Sequence, residues 1–174
     1  VAASNAVVCK GERGWAFGMI RLNLGCGRNK FPGYINIDIE EAVQPDLVWD
    51  VREGLPFRDD EVHEVRAFDF LEHVDSDKVI FVIGEIWRVL CPFGLFEHLT
   101  PSTDGRGAFQ DPTHRSFWNI NSWLYYMDDA HRALYGIVAR FTGSNVDVVT
   151  DPVLKIVHTH GKLFADKGVV GGAQ

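Results

Sequence analysis

Short apolar runs alternate with polar breakers through the first hundred residues. Runs at 20–24, 34–39, 47–50 and 62–69 are bounded by glycine, proline and acidic residues, and predict four strands. Val79, Ile80, Ile83, Ile86, Trp87 and Leu90 then recur at helical spacing, with Asp75 or Ser76 placed to cap the helix and Pro92 to stop it. Gly94 leads into a fifth strand at 95–100. Strands alternating with helices predict an α/β fold: a mostly parallel sheet, helices on both faces, and ligands bound beyond the carboxyl ends of the strands. Two β-branched, alternating runs at 138–150 and 153–160, split by Asp151-Pro152, are expected to add an antiparallel pair at the sheet edge near the C-terminus. The glycine-rich residues after Leu163 are expected to fray.

The link between the first two strands carries the most information. It reads LNLGCGRNKFPGYINIDI, so strand one runs into Gly25, Cys26 and Gly27, and strand two ends in Asp38. Glycines at the carboxyl end of a buried parallel strand let a ligand approach the backbone, and an acid ending the next strand is placed to accept from two ribose hydroxyls. An adenosine-containing ligand is therefore expected. A dinucleotide is disfavoured, because Lys30 stands where its third glycine belongs and Asp38 follows Gly27 by only eleven residues. The link also has room for barely more than about one helical turn, against which a pyrophosphate would have to sit.

The segments LNLGCG, NIDI, WDVREGLPFRDD, FDFLEHV and EIWRVLCPFG, in this order and spacing, resemble the class I S-adenosylmethionine-dependent methyltransferases, and among them the small members described as the methyltransferase type 11 group. The resemblance covers residues 20–101. It implies a Rossmann-like sheet and S-adenosyl-L-methionine as cofactor. It also implies that Gly25, Cys26 and Gly27, with Asn23 and Leu24 leading into them, hold the methionine part. By the same resemblance Asp38, followed by Ile39, holds the ribose, Asp50, followed by Val51, contacts the adenine amino group, and Asp69 lies near the methionine and the reacting methyl. The chain departs from the family pattern at Cys91, Phe93, Glu97 and His98, so strand five is expected to be partly exposed or bent.

Composition narrows the partners. The 174 residues suit one domain, and a net charge of −7 with no run of Lys or Arg disfavours nucleic acid as substrate. Cys9, Cys26 and Cys91 show neither CxxC spacing nor an even count, which favours reduced thiols and a cytoplasmic protein. No apolar run is long enough to span a bilayer. Met19 stands directly before the first strand, so the domain is expected to occupy residues 19–174, with 1–18 as an extension that lacks the apolar block of a secretory signal.

Residues 101–135 form an insertion, dense in aromatic and polar groups, which the cofactor half does not need. Asp111-Pro112-Thr113-His114 reads as a turn, and 122–135 as a helix. Phe117, Trp118, Trp123, Tyr125 and Tyr126 either line an acceptor pocket or pack as a satellite core; long loops in compact domains favour a lid or acceptor role for the whole segment. The DPTH stretch resembles methyltransferases associated with sugar or surface-glycan pathways, which implies a small-molecule or glycan acceptor. Methyl transfer from a sulfonium needs alignment and exclusion of water, and a base only where the acceptor carries a proton. The candidate bases are Asp69, His73 and His114. His98, His158 and His160 are expected to be surface or structural, and no metal site is expected. Two other classes remain open on the residues alone: a non-catalytic cofactor-binding or interaction protein, and a nucleotide-sugar or dinucleotide enzyme.

Overall fold

Strand alternation sorts the sheet into two unlike faces. The computed structural model describes residues 18–168, so the expectation for the N-terminal extension falls, Gly18 apart, outside the described residues. The described residues form seven strands: β1 (Arg21–Leu24), β2 (Ile35–Asp38), β3 (Leu47–Val48), β4 (Val62–Phe68), β5 (Leu90–Pro101), β6 (Phe141–Thr150) and β7 (Val157–Ala165). They lie in the order 3-2-1-4-5-7-6, parallel throughout except that β7 runs antiparallel to both β5 and β6. Register puts Leu22, Leu24, Val65, Ala67, Phe96, His98 and Leu163 on one face, all buried. Glu64, Arg66, Glu97 and His160 stand on the other face, and all are only half-buried.

The covered face is closed by α1 (Val79–Val89) and by the insertion. Val82, Ile83, Ile86 and Val89 recur on one side of α1 and join the same core as the strand residues. The helix ends at Val89 because Pro92 has no N–H for the Arg88 carbonyl; that oxygen instead accepts from Asp60 N at 3.1 Å and Lys167 Nζ at 3.2 Å. The chain passes straight into β5, which therefore begins at Leu90 rather than at 95. Its register against β4 slips between Val62 and Glu64, across an exposed Phe93 at φ 60°. The bend expected for strand five is thus at its start, while His98 is fully buried.

On the other face the links 25–34 and 39–46 hold turns and one 3-10 turn, Glu41–Val43, so the described residues meet the expected helical cover on one face. There Arg66 lies between the rings of Phe31 and Phe68, 3.8 Å from each centroid.

The insertion forms no single helix over 122–135. A 3-10 turn at Ile120–Trp123 is followed by α3 (Leu124–Met127) and α4 (Asp129–Tyr135), after a short α2 (Gly107–Gln110). The break falls at Asp128, whose backbone is extended and whose carboxylate accepts from His131 N at 2.9 Å: the acid caps a new helix rather than continuing the old one. Trp118, Trp123 and Tyr126 are buried against the sheet, with Trp123 stacked on His98 at 3.8 Å. Phe117, Tyr125 and Tyr135 remain exposed around a groove of about 590 Å³. Trp118, Trp123 and Tyr126 thus pack as core, whereas Phe117 and Tyr125 border the groove.

Among the described residues no helix is long and apolar enough to cross a membrane. Cys26 is a free, buried thiol, whereas Cys91 is disulfide-bonded. That corrects the expectation of three reduced cysteines, and the cytoplasmic assignment loses its support from them.

Burial holds the His98 imidazole neutral, well below its ordinary pKa of 6.5, with the nearby His160 adding to the effect. An unfolded chain binds a proton there below about pH 6.5 while the folded chain does not, so His98 contributes stability above that pH that is lost on acidification. Urea denaturation from pH 8 to 5 is expected to show His98→Leu losing less stability on acidification than the parent.

Candidate functional site

The site is assembled where β1, β2, β3 and β4 end. At the end of β1, Gly25 takes φ 60°, and a Cβ there would stand 2.3 Å from Cδ2 of Phe70. Only glycine satisfies both the left-handed backbone and the approach of that ring. Gly27 follows at φ 48°, and its N–H donates to Oδ2 of Asp38 at 2.8 Å. The second Asp38 oxygen accepts from Glu40 N at 2.9 Å. Asp38 thus joins the bend after β1 to the bend after β2, and each of its oxygens keeps a lone pair for a further donor. Between the glycines, burial pushes the Cys26 thiol above its ordinary pKa, with Asp38 adding to the effect, which suits an inert packing residue.

Asp50 starts the 3-10 turn Val51–Glu53 by accepting from Arg52 N at 2.9 Å. Its carboxylate also clamps the Arg52 guanidinium, with Nη2 at 2.8 Å and Nε at 2.9 Å, and this pairing holds Asp50 below the usual carboxylate range. Arg52 reaches on to Asp75 at 3.2 Å. At the end of β4, Asp69 has a left-handed φ of 47°, and its Oδ1 lies 3.3 Å from Nε2 of His158. Non-glycine residues hold such a backbone only where the surroundings fix it, often beside a binding site.

These ends enclose a cavity of about 310 Å³. Of the residues singled out from sequence, Gly25, Asp38, Ile39, Asp50, Val51, Asp69 and His73 line it. Asn23, Cys26 and Gly27 line an adjoining cavity of about 560 Å³ that shares Gly25 and Asp69. Leu24 is buried in the core with no exposed surface, so its side chain does not face either space. His114 lies behind His73, with ring centroids 5.0 Å apart, and lines neither cavity. Sequence reasoning missed Trp49, Arg52 and Phe70, each next to or two residues from a strand-end acid; that adjacency was the available signal.

The insertion is stitched to this rim. Arg115 N and Ser116 N both donate to the Glu72 carbonyl, at 2.6 and 3.0 Å, and Ser116 Oγ donates to the Leu71 carbonyl at 2.8 Å. Thr113 Oγ1 lies 3.2 Å from His73 Nδ1. Burial pushes the Glu72 carboxyl up to about 8, with the Asp69 and Asp111 charges adding to it. His158 and His160 do have carboxylate partners, Asp69 and Glu97, at 3.3 and 3.0 Å; strand pairing supplies them from far along the chain.

No protein-family model matches the chain, and no curated protein matches it in sequence. Solved structures do match. A SAM-dependent methyltransferase from Archaeoglobus fulgidus aligns at a TM-score of 0.60 and 16% identity, over 86% of this chain and 87% of that one. The 1,6-didemethyltoxoflavin-N1-methyltransferase of Burkholderia thailandensis, solved with bound 1,6-didemethyltoxoflavin and S-adenosylhomocysteine, aligns at 0.59 and 15%, over 84% and 71%. The [4+2]-cyclase SpnF aligns at 0.60 and 14%, over 87% and 76%. The chain therefore has the Rossmann-like fold of the class I S-adenosylmethionine-dependent methyltransferases, a fold that also carries other chemistry.

Gly25→Ala is expected to destabilise the fold by about 1–3 kcal/mol, through the left-handed backbone and the Phe70 contact. Urea denaturation measures it, and a double-mutant cycle with Phe70→Ala should show coupling between the two positions.

Proposed function

We propose that this chain is a methyltransferase that binds S-adenosyl-L-methionine in the cavity at the strand ends. The acceptor is a small molecule or glycan, methylated by in-line displacement at the methyl carbon: the acceptor–carbon bond forms as the carbon–sulfur bond breaks and its electron pair stays on sulfur. The observation that carries this is the convergence of the Gly25 bend with Asp38, Asp50 and Asp69 in one cavity. In this assignment Gly25, Cys26 and Gly27 offer backbone to the methionine part, with Asn23 and Leu24 supporting the bend. Asp38 accepts from the ribose hydroxyls, and Asp50 with Val51 and Ile39 borders the adenine. Asp69 lies toward the amino group and the reacting methyl.

Charge supports the sulfonium donor over a dinucleotide. The cavity is lined by three carboxylates, Asp38, Asp50 and Asp69, against the single guanidinium of Arg52. That field attracts a donor with net positive charge and repels a pyrophosphate. The first crossover also lacks a helix whose N-terminus could hold phosphate.

The acceptor enters beside His73, where Thr113 of the insertion meets the cavity rim. The insertion acts as the lid that aligns acceptor, methyl and sulfur and excludes water. If the acceptor carries a proton, Asp69 and His73 are the groups that line the cavity to receive it, whereas His114 acts through its contact with His73.

Calorimetry is expected to show S-adenosylmethionine and S-adenosylhomocysteine binding and NAD failing to bind; S-adenosylhomocysteine binding no better than NAD would overturn the proposal. Asp38→Ala should weaken S-adenosylhomocysteine by about 1.5–3 kcal/mol, roughly 10- to 150-fold, by removing hydrogen bonds to a charged acceptor.

A further inference from the structure

We propose that Glu72, His73 and His114 form a binding site for a divalent transition-metal ion on the rim of the proposed donor cavity. A carboxylate oxygen of Glu72 and one ring nitrogen of each histidine lie within 4.8 Å of one another. Glu72 is buried, and its Oε2 has no hydrogen-bond partner. A buried carboxylate oxygen is costly unless something meets it, and among the described residues no lysine or arginine forms an ion pair with Glu72.

The hydrogen bonds around the two imidazoles decide which ring nitrogens keep their lone pairs. His114 Nδ1 stands 2.8 Å from the Ala108 carbonyl, which can only accept, so Nδ1 carries the proton and Nε2 the lone pair. Thr113 Oγ1 gives its hydrogen to Asp111 Oδ1 at 2.7 Å, so it accepts from His73 Nδ1 at 3.2 Å. The lone pair of His73 is therefore also on Nε2. An Nδ1–H anchored on a backbone or side-chain oxygen, with Nε2 left basic, is how proteins orient metal-ligating histidines. Two basic ring nitrogens and a carboxyl oxygen without a hydrogen-bond partner offer three ligand atoms, and a cation binds Glu72 as the carboxylate, displacing the proton that burial favours there. Two imidazoles with one carboxylate suit Zn²⁺, Co²⁺ or Fe²⁺ better than Mg²⁺ or Ca²⁺.

Around an ion at about 2.1 Å, ligand atoms stand about 3.4 Å apart, so binding draws the three groups together. His73 is exposed and has room to turn, while the Ala108 carbonyl and the buried backbone of Glu72 fix the other two. Because His73 also lines the cavity, the open coordination positions face the place assigned to the acceptor, where a hydroxyl or carboxylate oxygen would complete them. That use rests on the methyltransferase proposal; the metal site itself does not.

The test is titration of the chelator-stripped protein with Co²⁺ and then Zn²⁺, with no donor or acceptor present. One equivalent of Co²⁺ with visible d–d absorption, displaced by one equivalent of Zn²⁺, is the expected result. Glu72→Gln and His114→Ala should each weaken binding at least tenfold, and His131→Ala, an exposed histidine on α4, should leave it unchanged. Thr113→Val keeps all three ligands and removes only the partner of His73 Nδ1; it should weaken binding about 10- to 100-fold, so the site stays testable if Glu72→Gln does not fold. Zn²⁺ should raise the Tm of the parent and not that of His114→Ala. Absence of stoichiometric binding, or binding indifferent to both His114→Ala and Thr113→Val, overturns the site. Failure of S-adenosylhomocysteine to bind while Co²⁺ still does would remove the methyltransferase proposal and leave the metal site standing.

Discussion

The cavity depends on where Asp38 spends its two oxygens. One closes on the N–H of Gly27 and the other on the N–H of Glu40, so a single carboxylate ties together the chain reversals after β1 and β2. Those reversals need left-handed backbone at Gly25 and Gly27, and β4 ends in a third left-handed residue, Asp69. Such conformations are unfavourable in isolation, and the parallel ladder with its interlocking side-chain bonds offsets them. The result is an acid-rich concavity whose walls are mostly strand ends and the turns just beyond them.

The rest of the sheet follows from short connections. With ten residues between β1 and β2 and eight between β2 and β3, these crossovers hold turns in place of α-helices, and the face they would cover keeps half-buried polar side chains. The opposite face is sealed by α1 and by the insertion, whose Trp123 fills the space above Phe96 and His98. A histidine in that position is tolerated because the indole covers it and Gly161, opposite on β7, leaves room: a Cβ there would stand 2.4 Å from His98 Nε2.

Much of this was legible in the chain. The first four strands, α1, the terminal pair and the strand-end acids are signalled by local periodicity and by glycine placement, which depend on near neighbours. Two kinds of feature were not. Residues 122–135 look helical by composition, yet Asp128 prefers to cap, and the segment breaks there. The partners of His158 and His160, and the meeting of Glu72 with His114, arise from pairing between β5 and β7 and from the path of the insertion, so no window of sequence contains them. Pro92 was expected only to stop a helix; its missing N–H also leaves a carbonyl that Asp60 and Lys167 share.

The insertion grips the rim partly through main-chain atoms, with Arg115 and Ser116 both giving their N–H groups to the Glu72 carbonyl. Main-chain bonds do not depend on which side chains flank them. Exposed positions of this segment, such as Phe117 and Tyr125, can therefore change while the same main-chain bonds hold it on the turn that follows β4. Variation at these exposed positions and preservation of the sheet are thus separable.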